Sequence, residues 1–136
     1  MCSSDLFFTE NSYLIGLLSE QLLKLSPGES IVHDPRLVWN TVEEVNIFGG
    51  IPTISKSGHS FIKEVMRENN SIYGGEMSGH HYFKDFYFSD SGMIPWLLLV
   101  ENVSTSGSNL THLVSGYCCV ICFKPGFGSS VTHSDV

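Results

Sequence analysis

An α/β domain is what this chain predicts, a three-layer sandwich around a mostly parallel, four-stranded sheet. Three observations predict it. Apolar residues recur at helical spacing in several segments, short β-rich runs separate those segments, and proline or glycine pairs stand where one element should give way to the next. Helices alternating with short strands favour a parallel sheet covered on both faces. At 136 residues the chain has the length of a single domain.

Asn11 or Ser12 can cap a first helix, and Leu14, Leu17, Leu18, Leu22 and Leu25 form its apolar stripe. Pro27-Gly28 ends it. Glu29 to His33 reads as the first strand. Asp34-Pro35 breaks that strand and opens a helix carrying Leu37, Val38, Thr41, Val42 and Val45, which Gly49-Gly50 stops. Ile51 to Ser55 is the second strand. Ser57 is expected to cap a third helix with Phe61, Ile62, Val65 and Met66 inward. Ile72 to Gly75 is the third strand. Tyr82 to Phe88 reads as a loop or an antiparallel strand, and Asp90 as the cap of a helix from Ser91 to about Asn102. The domain is therefore placed at residues 1–102. Ser104 to Asn109 is linker-like, and Tyr117 to Val136 follows neither period, so residues 103–136 read as a divergent, poorly ordered tail.

Composition excludes several classes. Hydrophobic residues at 42% and charged residues at 15% describe an ordinary globular protein. A net charge of −7 with only 7 lysines and arginines argues against nucleic acid, whose binding rests on phosphate neutralisation. It also argues against an anionic membrane surface. No basic segment precedes an apolar core at the start, and the longest apolar runs, Met93 to Val100 and Tyr117 to Phe123, are too short to span a bilayer. A cytoplasmic protein is expected. Cys119 and Cys122 form a C-x-x-C next to Cys118, and His112 and His133 could complete a metal site, but free thiols are the plainer reading.

Ligands of parallel sheets gather at the carboxyl ends of the strands. Arg36, Lys56 and Glu76 each follow a predicted strand, so this rule alone collects Arg36, Lys56, His59, Glu76, Ser78 and His80 on one edge. Gly74 and Gly75 precede the segment Glu76 to His80, Gly79 lies within it, and these glycines would let its backbone approach a ligand. An acid, a hydroxyl and an imidazole in that short span suit a polyhydroxylated ligand such as a sugar. A polar turn between two strands is the plain alternative. His81 faces the other way if the segment is extended, which makes it structural and argues against a His-His metal pair. Trp39, Trp96 and the cluster Tyr82, Phe83, Phe86, Tyr87 and Phe88 read as core or as surface built to meet other domains.

Gly75-Glu76-Met77-Ser78-Gly79-His80 closely resembles the sugar-recognition loop of the α-D-phosphohexomutases, the phosphomannomutase/phosphoglucomutase family. Three further segments are similar to that family's third domain, in order and spacing. They are Ile31 to Thr41, Gly49 to Pro52 with Ser55 to Lys63, and Asp90 to Trp96. The resemblance runs from about Phe7 to about Glu101, and points to the bacterial phosphomannomutases that make GDP-mannose precursors.

The resemblance implies roles. Glu76 and Ser78 would bind the ring hydroxyls O3 and O4, with Gly75 in the same loop. His80 would lie near the reacting hydroxyl and phosphate as a proton shuttle or donor. Arg36 would line the catalytic cleft, and Lys56 and His59 would draw in an anionic hexose phosphate. The family's phosphoserine motif, of the T-A-S-H-N type, does not occur in these residues, nor does its magnesium loop of the D-G-D-F-D-R type. No cofactor or metal is therefore expected to bind here, and the chain looks like one domain of a four-domain isomerase, inactive alone and prone to self-association through orphaned interdomain surface. A non-enzymatic sugar-phosphate-binding module and a small Cys/His metal protein are the alternatives. The loop is shared by mannose and glucose enzymes and does not separate them.

Overall fold

The computed structural model describes residues 11–107, apart from the side chains of residues 11, 12 and 38–40. The expected tail, the cysteines, His112 and His133 lie outside the described residues, as do the side chains of the expected cap residues Asn11 and Ser12 and of Trp39. Elements run in the order α1 (Asn11–Leu25), β1 (Ser30–His33), α2 (Val38–Ile47), β2 (Ile51–Ile54), α3 (His59–Glu68), β3 (Tyr73–Gly75), β4 (His81–Phe83), a 3-10 turn (Lys84–Phe86), β5 (Ser89–Asp90) and α4 (Met93–Ser106).

The sheet has five strands in the order β2-β1-β3-β4-β5. The pairings of β1 with β2 and β3 are parallel, while β3–β4 and β4–β5 are antiparallel. This corrects the expected mostly parallel, four-stranded sheet to a mixed one. The reason is local: a tight loop joins β3 to β4, too short for the crossover that a parallel neighbour requires. The ambiguous stretch from Tyr82 thus resolves into an antiparallel strand, a 3-10 turn and an edge strand.

Side chains alternate strictly across the sheet. On one face Ile31, Tyr73 and Phe83 pack with Ile15, Leu18 and Leu23 of α1 and Val45 of α2, and Ile94 and Leu98 of α4 join them. On the other face Val32 and Tyr82 pack with Ile62 and Met66 of α3. Two apolar layers therefore enclose the sheet between helices.

Several terminus signals act differently from expectation. Asp34 to Leu37 forms a turn, with the Leu37 N–H donating to the Asp34 carbonyl, and α2 begins only at Val38. Gly58, at φ 120°, precedes α3, and Ser57 lies one residue too far out to cap it. Asp90 sits in β5, and Ser91 instead accepts the Ile94 N–H through its Oγ. α4 continues past Asn102 to Ser106, and within its last turns the Ser104 and Thr105 hydroxyls donate to the carbonyls of Val100 and Glu101. Of the expected inward residues, Leu25 is 77% exposed and Phe61 46% exposed. No helix among the described residues is long and apolar enough to cross a membrane.

Candidate functional site

Register brings three loops side by side. His33 pairs with Ile54 on one side and Gly75 on the other, so Asp34, Ser55 and Glu76 leave the sheet together at the carboxyl ends of β1, β2 and β3. The Ser55 N–H donates to the His33 carbonyl at 2.9 Å, and the Asp34 N–H to the Gly75 carbonyl at 3.3 Å.

The loop between β3 and β4 closes on itself. The Glu76 N–H donates to the His80 carbonyl and the Gly79 N–H to the Glu76 carbonyl, each at 3.0 Å. Gly79 takes φ +86°, the one left-handed residue of this turn. Gly74 and Gly75 are strand residues without positive φ. A Cβ on Gly75 would stand 2.8 Å from Ile15, and one on Gly74 2.7 Å from the Met66 sulfur. Packing on both faces, not ligand approach, requires glycine there, and Gly75 is buried.

Glu76 is only 5% exposed, and both its carboxylate oxygens are engaged. The buried Tyr82 hydroxyl donates to Oε1 at 2.6 Å, and the Ser78 hydroxyl to Oε2 at 3.3 Å. Burial pushes the Tyr82 hydroxyl far above the usual tyrosine range, and the bond to Glu76 adds to this, so the phenol stays a donor. The exposed Ser78 makes the longer bond of the two. A ligand hydroxyl can replace Ser78 at Oε2 while Tyr82 keeps the carboxylate in place.

Asp34 is buried and ties two of the loops together. Its carboxylate accepts the Arg36 N–H at 2.7 Å, the Arg36 guanidinium through Nε and Nη2, and the Met77 N–H at 3.4 Å. Burial alone would raise the Asp34 carboxyl. The bonds from Arg36 and Met77 outweigh it and hold the group below its usual range. The exposed Arg36 guanidinium also feels the Glu76 carboxylate and stays firmly charged.

His80 is exposed, with Nδ1 2.7 Å from Asp90 Oδ2. His81 is buried on the opposite face, Nδ1 2.7 Å from the Tyr73 hydroxyl, and burial lowers its pKa to about 4. Among the described residues the loop thus unites Arg36, Glu76, Ser78 and His80 in one neighbourhood. Lys56 and His59 are exposed on the same edge and stand apart from the loop. The Lys56 ammonium lies 5.6 Å from the centre of the Phe61 ring, and His59 opens α3. Sequence reasoning missed Asp34, Tyr82 and Asp90. Each was legible only as a strand end, an aromatic in a cluster or a helix cap, whereas a buried acid such as Glu76 demands a donor nearby.

The family described as phosphoglucomutase/phosphomannomutase, alpha/beta/alpha domain III, matches residues 10–118. The chain belongs to that family. Among relatives, the phosphohexose mutases protein of Xanthomonas campestris is 61% identical over 107 residues, and the phosphomannomutase of Escherichia coli 57% identical over 107 residues. Each match covers 79% of this chain and 24% of the relative, so the chain spans about a quarter of their length. A phosphoglucomutase/phosphomannomutase family protein of Burkholderia thailandensis superposes with a TM-score of 0.72 at 33% identity, over 78% of this chain and 23% of that one. A Thermus thermophilus structure, at 20% identity and a TM-score of 0.73 over 82% of this chain and 25% of that one, shares the fold. No group of three or more metal-ligating side chains occurs among the described residues.

Proposed function

We propose that this chain is the sugar-recognition domain of a phosphohexomutase of the phosphomannomutase type, taking part in the interconversion of hexose 6-phosphate and hexose 1-phosphate. The observation that supports it most is the Glu76 carboxylate. It is buried, fixed by Tyr82 through one oxygen, and answerable to a sugar hydroxyl through the other. Ser78 adds a second hydroxyl partner beside it. Arg36, oriented by Asp34, supplies positive charge for an anionic sugar phosphate, with Lys56 and His59 further along the edge. His80 serves as proton shuttle or as hydrogen-bond donor to the phosphate. The role belongs to cytoplasmic carbohydrate metabolism and, by the resemblance of its motifs, to the supply of GDP-mannose precursors.

Phosphoryl transfer itself needs a nucleophile and a charge-stabilising clamp that none of these residues provides. The 136-residue chain assayed alone should show no conversion of mannose 6-phosphate above background. It should still bind mannose 1-phosphate weakly, around millimolar, worth about −4 kcal/mol. An NMR titration should move the amides of Gly75 to His80 most, and Glu76→Ala should abolish the response. Shifts centred elsewhere, for example on Cys118 to Cys122, would refute the assignment, and turnover by the isolated chain would refute its dependence on further residues.

A further inference from the structure

Asp90 has a use that neither its place in the sheet nor a helix cap explains. It sits in β5, held in register opposite Tyr82 of β4. Its two carboxylate oxygens do different jobs. Oδ1 accepts the His81 backbone N–H at 3.1 Å, which orients the carboxylate from the strand. Oδ2 meets Nδ1 of the His80 ring at 2.7 Å. The ring also lies 6.5 Å from the Tyr82 ring, centre to centre, so the imidazole is steered from two directions. An exposed ion pair alone would be a weak device. Here one partner is anchored to backbone, which removes most of its freedom to drift away.

We propose that Asp90 is the positioning residue of His80, holding the neutral ring as its Nδ1–H tautomer and leaving Nε2 to the ligand. A carboxylate only accepts hydrogen bonds, so the nitrogen that faces it must carry the proton. Burial would raise the Asp90 carboxyl, yet the bonds from the His80 ring and the His81 N–H keep it below the usual range, and it stays ionised at neutral pH. Nε2 then carries the lone pair. It can accept a proton from a sugar hydroxyl or, once the ring is charged, donate to a phosphate oxygen, with Asp90 facing the positive ring. The ligand half of this inference rests on the sugar-phosphate reading. The tautomer half does not.

The test is NMR of the full chain with isotopically labelled histidine, at a pH where His80 is neutral. The wild type should show the His80 proton on Nδ1. Asp90→Asn should invert this. The His81 N–H keeps the new amide's oxygen, the NH2 group turns to the ring, and only an unprotonated Nδ1 can accept from it. Asp90→Ala should relax the ring to the mixture of an unconstrained histidine. The amides of Ile31, Val32 and Tyr73 report that the fold is unchanged. A wild-type ring already protonated on Nε2, or a tautomer indifferent to Asp90→Asn, overturns the inference. Titration with mannose 1-phosphate separates the two halves. Perturbation of Nε2 in the wild type, several-fold weaker in Asp90→Asn, supports both. The expected tautomers without any response to the sugar phosphate uphold the role of Asp90 and sink the sugar-phosphate reading.

Discussion

His81 shows how two adjacent histidines acquire opposite chemistry. His80 reaches solvent and an anchored carboxylate, while His81 is sealed against Tyr73 and its neighbours under α1 and α4. Burial is the main cause of its pKa of about 4 against an ordinary 6.5, with the Asp90 carboxylate pulling weakly the other way. Between those values the unfolded chain takes up a proton at His81 that the folded chain refuses. Stability from this group is therefore complete above about pH 6.5 and lost as pH falls toward 4, by about 3 kcal/mol at roughly 1.4 kcal/mol per pH unit. Asp34 and Asp90, whose carboxyls are depressed, add losses of the same sign at lower pH. Thermal melts at pH 7 and pH 4.5 should show this slope, flattened in His81→Gln. Parallel slopes for variant and wild type would assign the acid sensitivity to other groups.

β3 is the element on which the site depends, because it is squeezed between α1 and α3. Its Gly74 leaves room for Met66 and Ile62 of α3, and its Gly75 for Ile15 of α1. Both contacts are with buried side chains that cannot swing into solvent. Gly75→Ala should cost about 1–3 kcal/mol by overpacking. Ile15→Val should recover part of that loss in the double variant, although it destabilises alone. Urea denaturation of the four-member cycle measures the coupling, and strictly additive costs would show that Ile15 is not the obstacle. The glycines stood out in the sequence as a sign of a ligand-approaching loop. Only Gly79 is there for its backbone angle, and the other two are there for what packs against them.

At the scale of the whole fold, exposed large apolar side chains among the described residues are most numerous on α4. Met93, Trp96, Leu97 and Val100 are all substantially exposed, Trp96 by 56%, although the helix also lends Ile94 and Leu98 to the core. The edge strand β2 adds Ile51 and Ile54. Exposed apolar side chains in such number drive association. Sedimentation velocity should reveal self-association of the chain that grows with concentration, and Trp96→Lys combined with Leu97→Lys should return it to monomer without lowering its melting temperature. A wild type that is monomeric at high concentration would place the cause of the exposure elsewhere.

The order of helices and strands, the turns at Pro27-Gly28 and Gly49-Gly50, and the gathering of Arg36, Glu76, Ser78 and His80 at one sheet edge follow from the sequence itself. Period, breakers and strand ends are local properties, written in neighbouring residues. The direction of β4, the fifth strand and the partners of Glu76, His80 and Arg36 do not follow from it. These depend on residues that are distant along the chain or read equally well as something else: Tyr82 as an aromatic in a cluster, Asp90 as a cap, Asp34 as a helix opener. Only the tertiary structure decides such cases, because it brings a buried acid to a buried hydroxyl that satisfies one of its oxygens and a strand-held carboxylate to a ring nitrogen within its reach.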